Sequence, residues 1–209
     1  MEKLDLSLLS KETTKAFKNA LKLCHKDHEL YPQIAGVGFI YNKEMNVKYI
    51  IGSNGKVAIS YLVDFPDDFN NKVVNKDGNV LSTNYPNIEI PSEFTNTIDL
   101  NVEELKSLYD QATEEVKELK LTISKLKKQK QRIGIPIADK FDVDYFSFKE
   151  FLKAIDMVGN ANINVDDRQY MGVFCKPDKS VVGIVLNSFI SSSYTNIREN
   201  NKNDDVDNS

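Results

Sequence analysis

The sequence is poor in the residues that most often carry chemistry. Cys24 and Cys175 are the only cysteines in 209 residues. Two are too few for a disulfide framework, and they read as reduced thiols of a cytosolic protein. The only histidines are His25 and His28, both in the hexapeptide CHKDHE. With Cys24 they make three conceivable zinc ligands, but zinc takes four, usually from two separated pairs, and no second pair exists. The histidines therefore read as surface residues, and no metal or cofactor is expected. No apolar run approaches the ~20 residues that span a bilayer, so no membrane partner is expected. The N-terminal stretch MEKLDLSLLSKETTK has no apolar core ahead of a cleavage site, and the expectation is a cytoplasmic rather than a secreted protein. No serine sits in a nucleophile-elbow motif. GSNGK at 52–56 has the wrong spacing for a phosphate loop and is followed by a strand rather than a helix. An enzyme is therefore not expected.

What is present is a globular composition. Hydrophobic residues make up 41% and charged residues 28%, and eleven Phe and nine Tyr are available for burial. The net charge is −4. An acidic total does not exclude a nucleic-acid partner, because charge can be gathered on one face.

The pattern predicts a helix over 10–26, with Ser10 as N-cap and Phe17, Ala20, Leu21 and Cys24 on one side. Strands are predicted at Ile34–Tyr41, Val47–Gly52 and Lys56–Val63, the last two joined through Asn54-Gly55. A second hairpin joins Val73–Val74 to Val80–Leu81 through Asp77-Gly78. A long helix is predicted over 101–132, capped by Asn101 with Glu104 and stopped by Gly134 and Pro136. A third helix covers 147–158, with Ser147 and Glu150 in a capping-box pattern. Strands follow near Ala161–Val165, Tyr170–Cys175 and Val181–Phe189, and residues 191–209 read as a polar tail. The order helix then three strands thus occurs twice, each copy ending in a strongly apolar strand (KVAISYLVDF, SVVGIVLNSF). The fold class expected is α+β, with short helices on one face of antiparallel sheets. The division expected is a helix-plus-sheet unit at 1–98, the long helix at 99–133, a second unit at 134–190 and the tail.

Two charge and apolar patterns are candidate functional features. Lys11, Lys15, Lys18 and Lys22 recur at spacings of 4, 3 and 4, which places them on one helix face opposite Phe17 and Leu21. Such a stripe is either a solvated face or a phosphate-facing one. Lys149 and Lys153 give the third helix a smaller version. Lys125, Lys127, Lys128, Lys130 and Arg132 form a second basic patch, which also suits a helix C-terminus. Val102, Leu105, Tyr109, Ala112, Val116, Leu119, Ile123 and Leu126 alternate at 3 and 4, an a/d pattern. That pattern is either a coiled-coil seam between copies or the buried side of one helix lying on a sheet.

Three stretches resemble the DNA polymerase sliding clamps of bacteria and phages. LSKETTKAFKNALKL at 9–23 is similar to the opening of a phage clamp, and IIGSNGKVAISYLVDF to the hairpin that follows in bacterial clamps. TNYPNIEIPSEFTNTIDLNVEELKSLYDQA at 83–112 resembles the clamp passage from one domain to the next, where a Tyr/Phe-Pro stretch runs to an Ile-Pro, then a strand and a helix. FSFKEFLKAIDMVGN and YMGVFCKPDKSVVGIVLNSF resemble the terminal clamp repeat. The resemblance implies a non-enzymatic processivity factor of a bacterial or phage-infected cell. Its helices would face duplex DNA without reading sequence, and its partners would be a DNA polymerase, a clamp loader and further copies of itself. Clamps form a ring of six domains with two repeats each, and this chain has two clear repeats. The alternative is a coiled-coil-mediated oligomeric interaction protein.

Overall fold

The structure is a computed structural model that describes residues 2–26, 29–85, 94, 96–118, 133–139, 141–165 and 171–188. The second basic patch at 125–132, the seam positions Leu119, Ile123 and Leu126, His28 and the tail 191–209 lie outside the described residues.

Helix α1 runs over Lys11–Leu21. The Ser10 hydroxyl accepts the Thr13 N–H at 3.0 Å, and Thr13 in turn donates to the Asp64 carbonyl at 2.7 Å, which fixes where the helix starts on the body of the protein. The helix ends earlier than the apolar period suggests. The Leu23 and Cys24 amides bond three residues back, to Ala20 and Leu21, and the His25 amide leaves for the Ile34 and Ser53 carbonyls.

Strands β1 (Val37–Asn42), β2 (Val47–Ser53) and β3 (Val57–Leu62) form a meander. Its second turn is made by Asn54, whose side chain accepts the Lys56 and Val57 amides, and by Gly55 at φ 86. β4 (Lys72–Val74) pairs with β1, and β5 (Val80–Ser82) with β4. The N-terminal segment lies along β5, with the Leu4 amide on the Gly78 carbonyl and the Val80 amide on that of Glu2.

Strand β6 (Asn96–Asp99) leads into helix α2 (Val102–Glu118). Asn101 caps α2 by accepting the Glu103 amide at 2.9 Å and the Glu104 amide at 3.4 Å. A hairpin that the periodicity reading did not anticipate follows, β7 (Gly134–Ala138) with β8 (Phe141–Asp144). Gly134 and Pro136 therefore sit inside a strand. Ile133, Ile135, Phe141, Val143 and Tyr145, at alternate positions, carry the apolar side chains that join the core, while Gly134 and Asp144 between them are buried as well. Helix α3 is Phe148–Val158, ended by Gly159 at φ 70. Its capping box is not made: the Ser147 side chain makes no cap bond, Asp144 accepts the Ser147 amide instead, and Glu150 turns to Lys153. Strands β9 (Asn162–Val165), β10 (Met171–Cys175) and β11 (Val181–Leu186) complete the fold.

Nine strands form one antiparallel sheet in the order β5-β4-β1-β2-β3-β11-β10-β9-β6. The two helix-then-three-strands units are joined through their last strands, with Val181 opposite Tyr61, Gly183 opposite Ile59 and Val185 opposite Val57. The boundary expected at 98/99 falls within β6, which pairs with β9 of the second unit.

Alternation along these strands sorts side chains to two faces. Ile50, Val57, Ile59, Phe174 and Val185 belong to the large core, together with Phe17 and Ala20 of α1 and Phe148, Phe151 and Ile155 of α3. Their neighbours Ile51, Ala58, Val173 and Ile184 form a separate cluster on the other face. Both helices therefore lie on one side of the sheet. α1 comes closest at Gly52, where a Cβ would run into the Ala20 carbonyl. Phe151 meets Phe174 edge-on at 6.1 Å under α3.

Gly52→Ala is expected to lift α1 from β2 and to cost about 1–3 kcal/mol, the usual range for overpacking. Urea denaturation checks this; an unchanged midpoint would show that α1 is not seated on β2 at that point.

Candidate nucleic-acid interface

The four stripe lysines emerge from α1 as the spacing requires. Thr13, Ala16, Phe17 and Ala20 are buried, while Lys11, Lys15, Lys18 and Lys22 are exposed on the opposite side. Lys22 sits just past the helix as its C-cap residue, and its Nζ donates to Asn19 Oδ1 at 3.0 Å. Among the described residues, no acid lies within ion-pairing distance of Lys11, Lys15 or Lys18. At the helical rise the stripe is ~17 Å long.

Lys149 and Lys153 are also exposed, on α3 and so on the same side of the sheet. They are less free than the α1 set. The Lys149 ammonium lies 5.8 Å from the centre of the Tyr109 ring, and Lys153 is 3.4 Å from the Glu150 carboxylate. Exposed pairs of this kind contribute little and exchange readily for another anion.

Helix α2 packs beside α3 through aromatic stacking, Tyr109 lying 5.5 Å from both Tyr145 and Phe148. Leu105, Ala112 and Val116 are buried in the chain's own core, and Val102 and Tyr109 pack against it. Over its described turns the heptad stripe is thus covered within one chain, because α3 and β7 occupy the side that a second helix would need. Of the two readings the a/d pattern allows, these described turns have the packing of a helix buried on its own fold. The solvent side of α2 carries Glu103, Glu104, Asp110 and Glu114 together with Lys106 and Lys117, which pair with Glu103 at 2.7 Å and Glu114 at 2.6 Å, so the helix has no free lysine stripe like that of α1 and an excess of acids.

Cys24 is turned inward. Its Sγ donates to the Ala20 carbonyl at 3.4 Å, and burial pushes the thiol up to about 12. A thiolate ligand is disfavoured there, whatever the neighbouring histidines do. His25 stands edge-on to Tyr31 at 4.8 Å.

Periodicity reading missed a feature of the helix-free face. Met45 and Leu62 are 70% and 51% exposed, and with Tyr49, Tyr85 and Val182 they line an apolar groove of about 680 Å³. The Tyr85 ring closes one end by lying on Gly38, where any Cβ would displace it. The available signal was the run AISYL in β3, which is apolar on both faces rather than alternating.

Iodoacetamide at pH 8 is expected to alkylate Cys175 and spare Cys24 in the folded protein, with both modified in urea. Both cysteines are half-buried, so equal native rates by mass spectrometry would contradict the inward-turned, hydrogen-bonded state of the Cys24 thiol.

No known protein family matches this sequence, and no curated protein does. Among solved structures, the chain is similar in fold to the beta clamp of Helicobacter pylori bound to a DNA ligase peptide, at 12% identity and a TM-score of 0.51. The match covers 86% of this chain and 64% of the clamp, so the chain spans under two thirds of that protein's length. The fold of this protein is therefore α+β and clamp-like.

Proposed function

We propose that this protein is a sliding-clamp-like processivity factor, which cradles duplex DNA against α1 and α3 and holds a replicative polymerase on it without performing chemistry. The observation that carries the reading is the sidedness of the lysines. Five exposed lysines on two helices, with Lys22 at the end of the first, share one face of a single sheet in a chain that is acidic overall. A surface that must hold DNA and slide needs phosphate contacts, which give affinity without reading sequence. An acidic remainder keeps the other surfaces off DNA.

Nine strands at about 4.8 Å spacing make a sheet about 38 Å wide, too short to close around a duplex and the helices lining it. A closed ring would therefore take more than one copy, and a clamp loader would be its natural partner.

The groove on the helix-free face supports a second contact. The structurally similar clamp is bound to a peptide of a DNA ligase. In this chain the polymerase would place an extended apolar segment across Met45, Leu62 and Tyr85, leaving the lysine face to DNA. Leu62→Glu is expected to abolish co-elution of the replicative polymerase and leave duplex affinity unchanged. Retained co-elution would remove the groove from the account.

The test of the DNA reading is the salt dependence of duplex binding. If all four α1 lysines contact phosphate, the Lys11→Gln, Lys15→Gln, Lys18→Gln, Lys22→Gln variant should lose about 3.6 from the slope of log K against log salt, at about 0.9 per contact. The loss should be the same for unrelated sequences. Stability should hold, since exposed lysines contribute little. An unchanged slope in the folded variant would overturn the reading.

A further inference from the structure

We propose that the phosphate track does not stop at α1 but runs into a cleft beyond its C-terminus, where Lys26 and Lys76 hold a further phosphate of the DNA backbone. This rests on the DNA reading above and extends it to residues outside the helix stripe. The cleft has a volume of about 690 Å³ and lies between the end of α1 and the turn joining β4 to β5. Lys22, the last residue of the stripe, lines it, so stripe and cleft share a residue and form one continuous surface. Lys26 enters from the chain after α1 and Lys76 from the opposite wall, and both are exposed. Two cations from separate chain segments thus face one space whose floor is formed by Leu21, Ala35 and Leu81.

The wall that carries Lys76 is rigid. The Asn75 side chain accepts the Asp77 amide at 2.9 Å and the Asn79 amide at 3.0 Å. The Asn75 carbonyl accepts the Gly78 amide at 3.1 Å, and the Gly78 carbonyl is held by the Leu4 amide at 2.8 Å. Gly78 takes φ 85, as such a turn demands. A lysine on a fixed turn loses less freedom on binding than one on a mobile loop. Asp77 also lines the cleft and opposes the lysines. Together with the apolar floor, which suits the deoxyribose rather than a base edge, it favours a single phosphodiester over a multiply charged free anion. His25 lines the cleft as well.

The test uses the whole chain and a fluorescent 30-base-pair duplex titrated at several salt concentrations. Lys26→Gln with Lys76→Gln should lower the salt slope by about 1.8, at about 0.9 per contact. Asn75→Ala, which loosens the turn and keeps every charge, should weaken binding with little change in slope. If the double variant keeps the wild-type slope while the four-lysine α1 variant loses its share, the cleft proposal is wrong and the DNA reading stands. If neither variant changes the slope, the DNA reading itself fails. Inorganic phosphate at millimolar concentration should not compete with the duplex at constant ionic strength; competition abolished by Lys76→Gln would mean that the cleft is a free-anion site and would overturn the proposal. A circular dichroism melt of each variant separates lost contact from lost fold.

Discussion

The structure depends on the pairing of β3 with β11. β3 is the inner edge of the five-stranded half β5-β4-β1-β2-β3 and β11 that of the four-stranded half β11-β10-β9-β6, and either alone would present a row of unpaired backbone groups. Five consecutive residue pairs, from Val181–Tyr61 to Val185–Val57, close those edges against each other. The register also decides sidedness. Ile59 and Gly183 point to the helices, Ala58 and Ile184 away from them. A slip by one residue would exchange the two sets and bring the apolar core to the surface. Because the register is fixed, α1 and α3 are held on one face, and their lysines with them.

From that constraint follows a division of labour between faces. On one side, helices bury Phe17, Phe151 and their neighbours and turn lysine outward. On the other, the sheet is bare enough to keep Met45 and Leu62 exposed beside a groove. The charge on the helix side is graded, strongest along α1, partly paired on α3 and negative along α2. A duplex resting there would lie toward α1 and the β4–β5 turn, and the acids of α2 would keep it from spreading across the whole face.

Much of this was legible in the sequence where local chemistry decides structure. Asn54-Gly55 and Asp77-Gly78 announced their hairpins because left-handed turn positions admit few residues. The lysine stripe was legible because 3.6-residue periodicity survives without tertiary context. The start of α1 was legible from Ser10, but its end was not, since the bonds that stop it come from Ile34 and Ser53 across the fold. Strand β6 went unseen in the residue pattern because NTID is polar and lies at a sheet edge. The β7–β8 hairpin was hidden by Gly134 and Pro136, which read as helix stops although Ile133, Ile135, Phe141 and Val143 alternate around them. The pairing of β3 with β11 joins residues over 100 positions apart, and their shared apolar character marked them as inner strands without naming the partner. The sidedness of the two lysine sets, the groove and the cleft with Lys76 all depend on that pairing or on loops brought together by it, so no local pattern could reveal them.

The central claim is that duplex DNA lies on the α1–α3 face of this sheet. Site-specific photocrosslinking tests it most directly. A photoreactive amino acid is placed singly at Lys15, Lys18 or Lys153 on the helices, and at Met45 or Leu62 on the other face. A radiolabelled duplex is then irradiated with each protein. The account predicts crosslinks from the three helix positions, strongest from α1, and none from Met45 or Leu62. Crosslinks from the groove face, or none from α1, would contradict it.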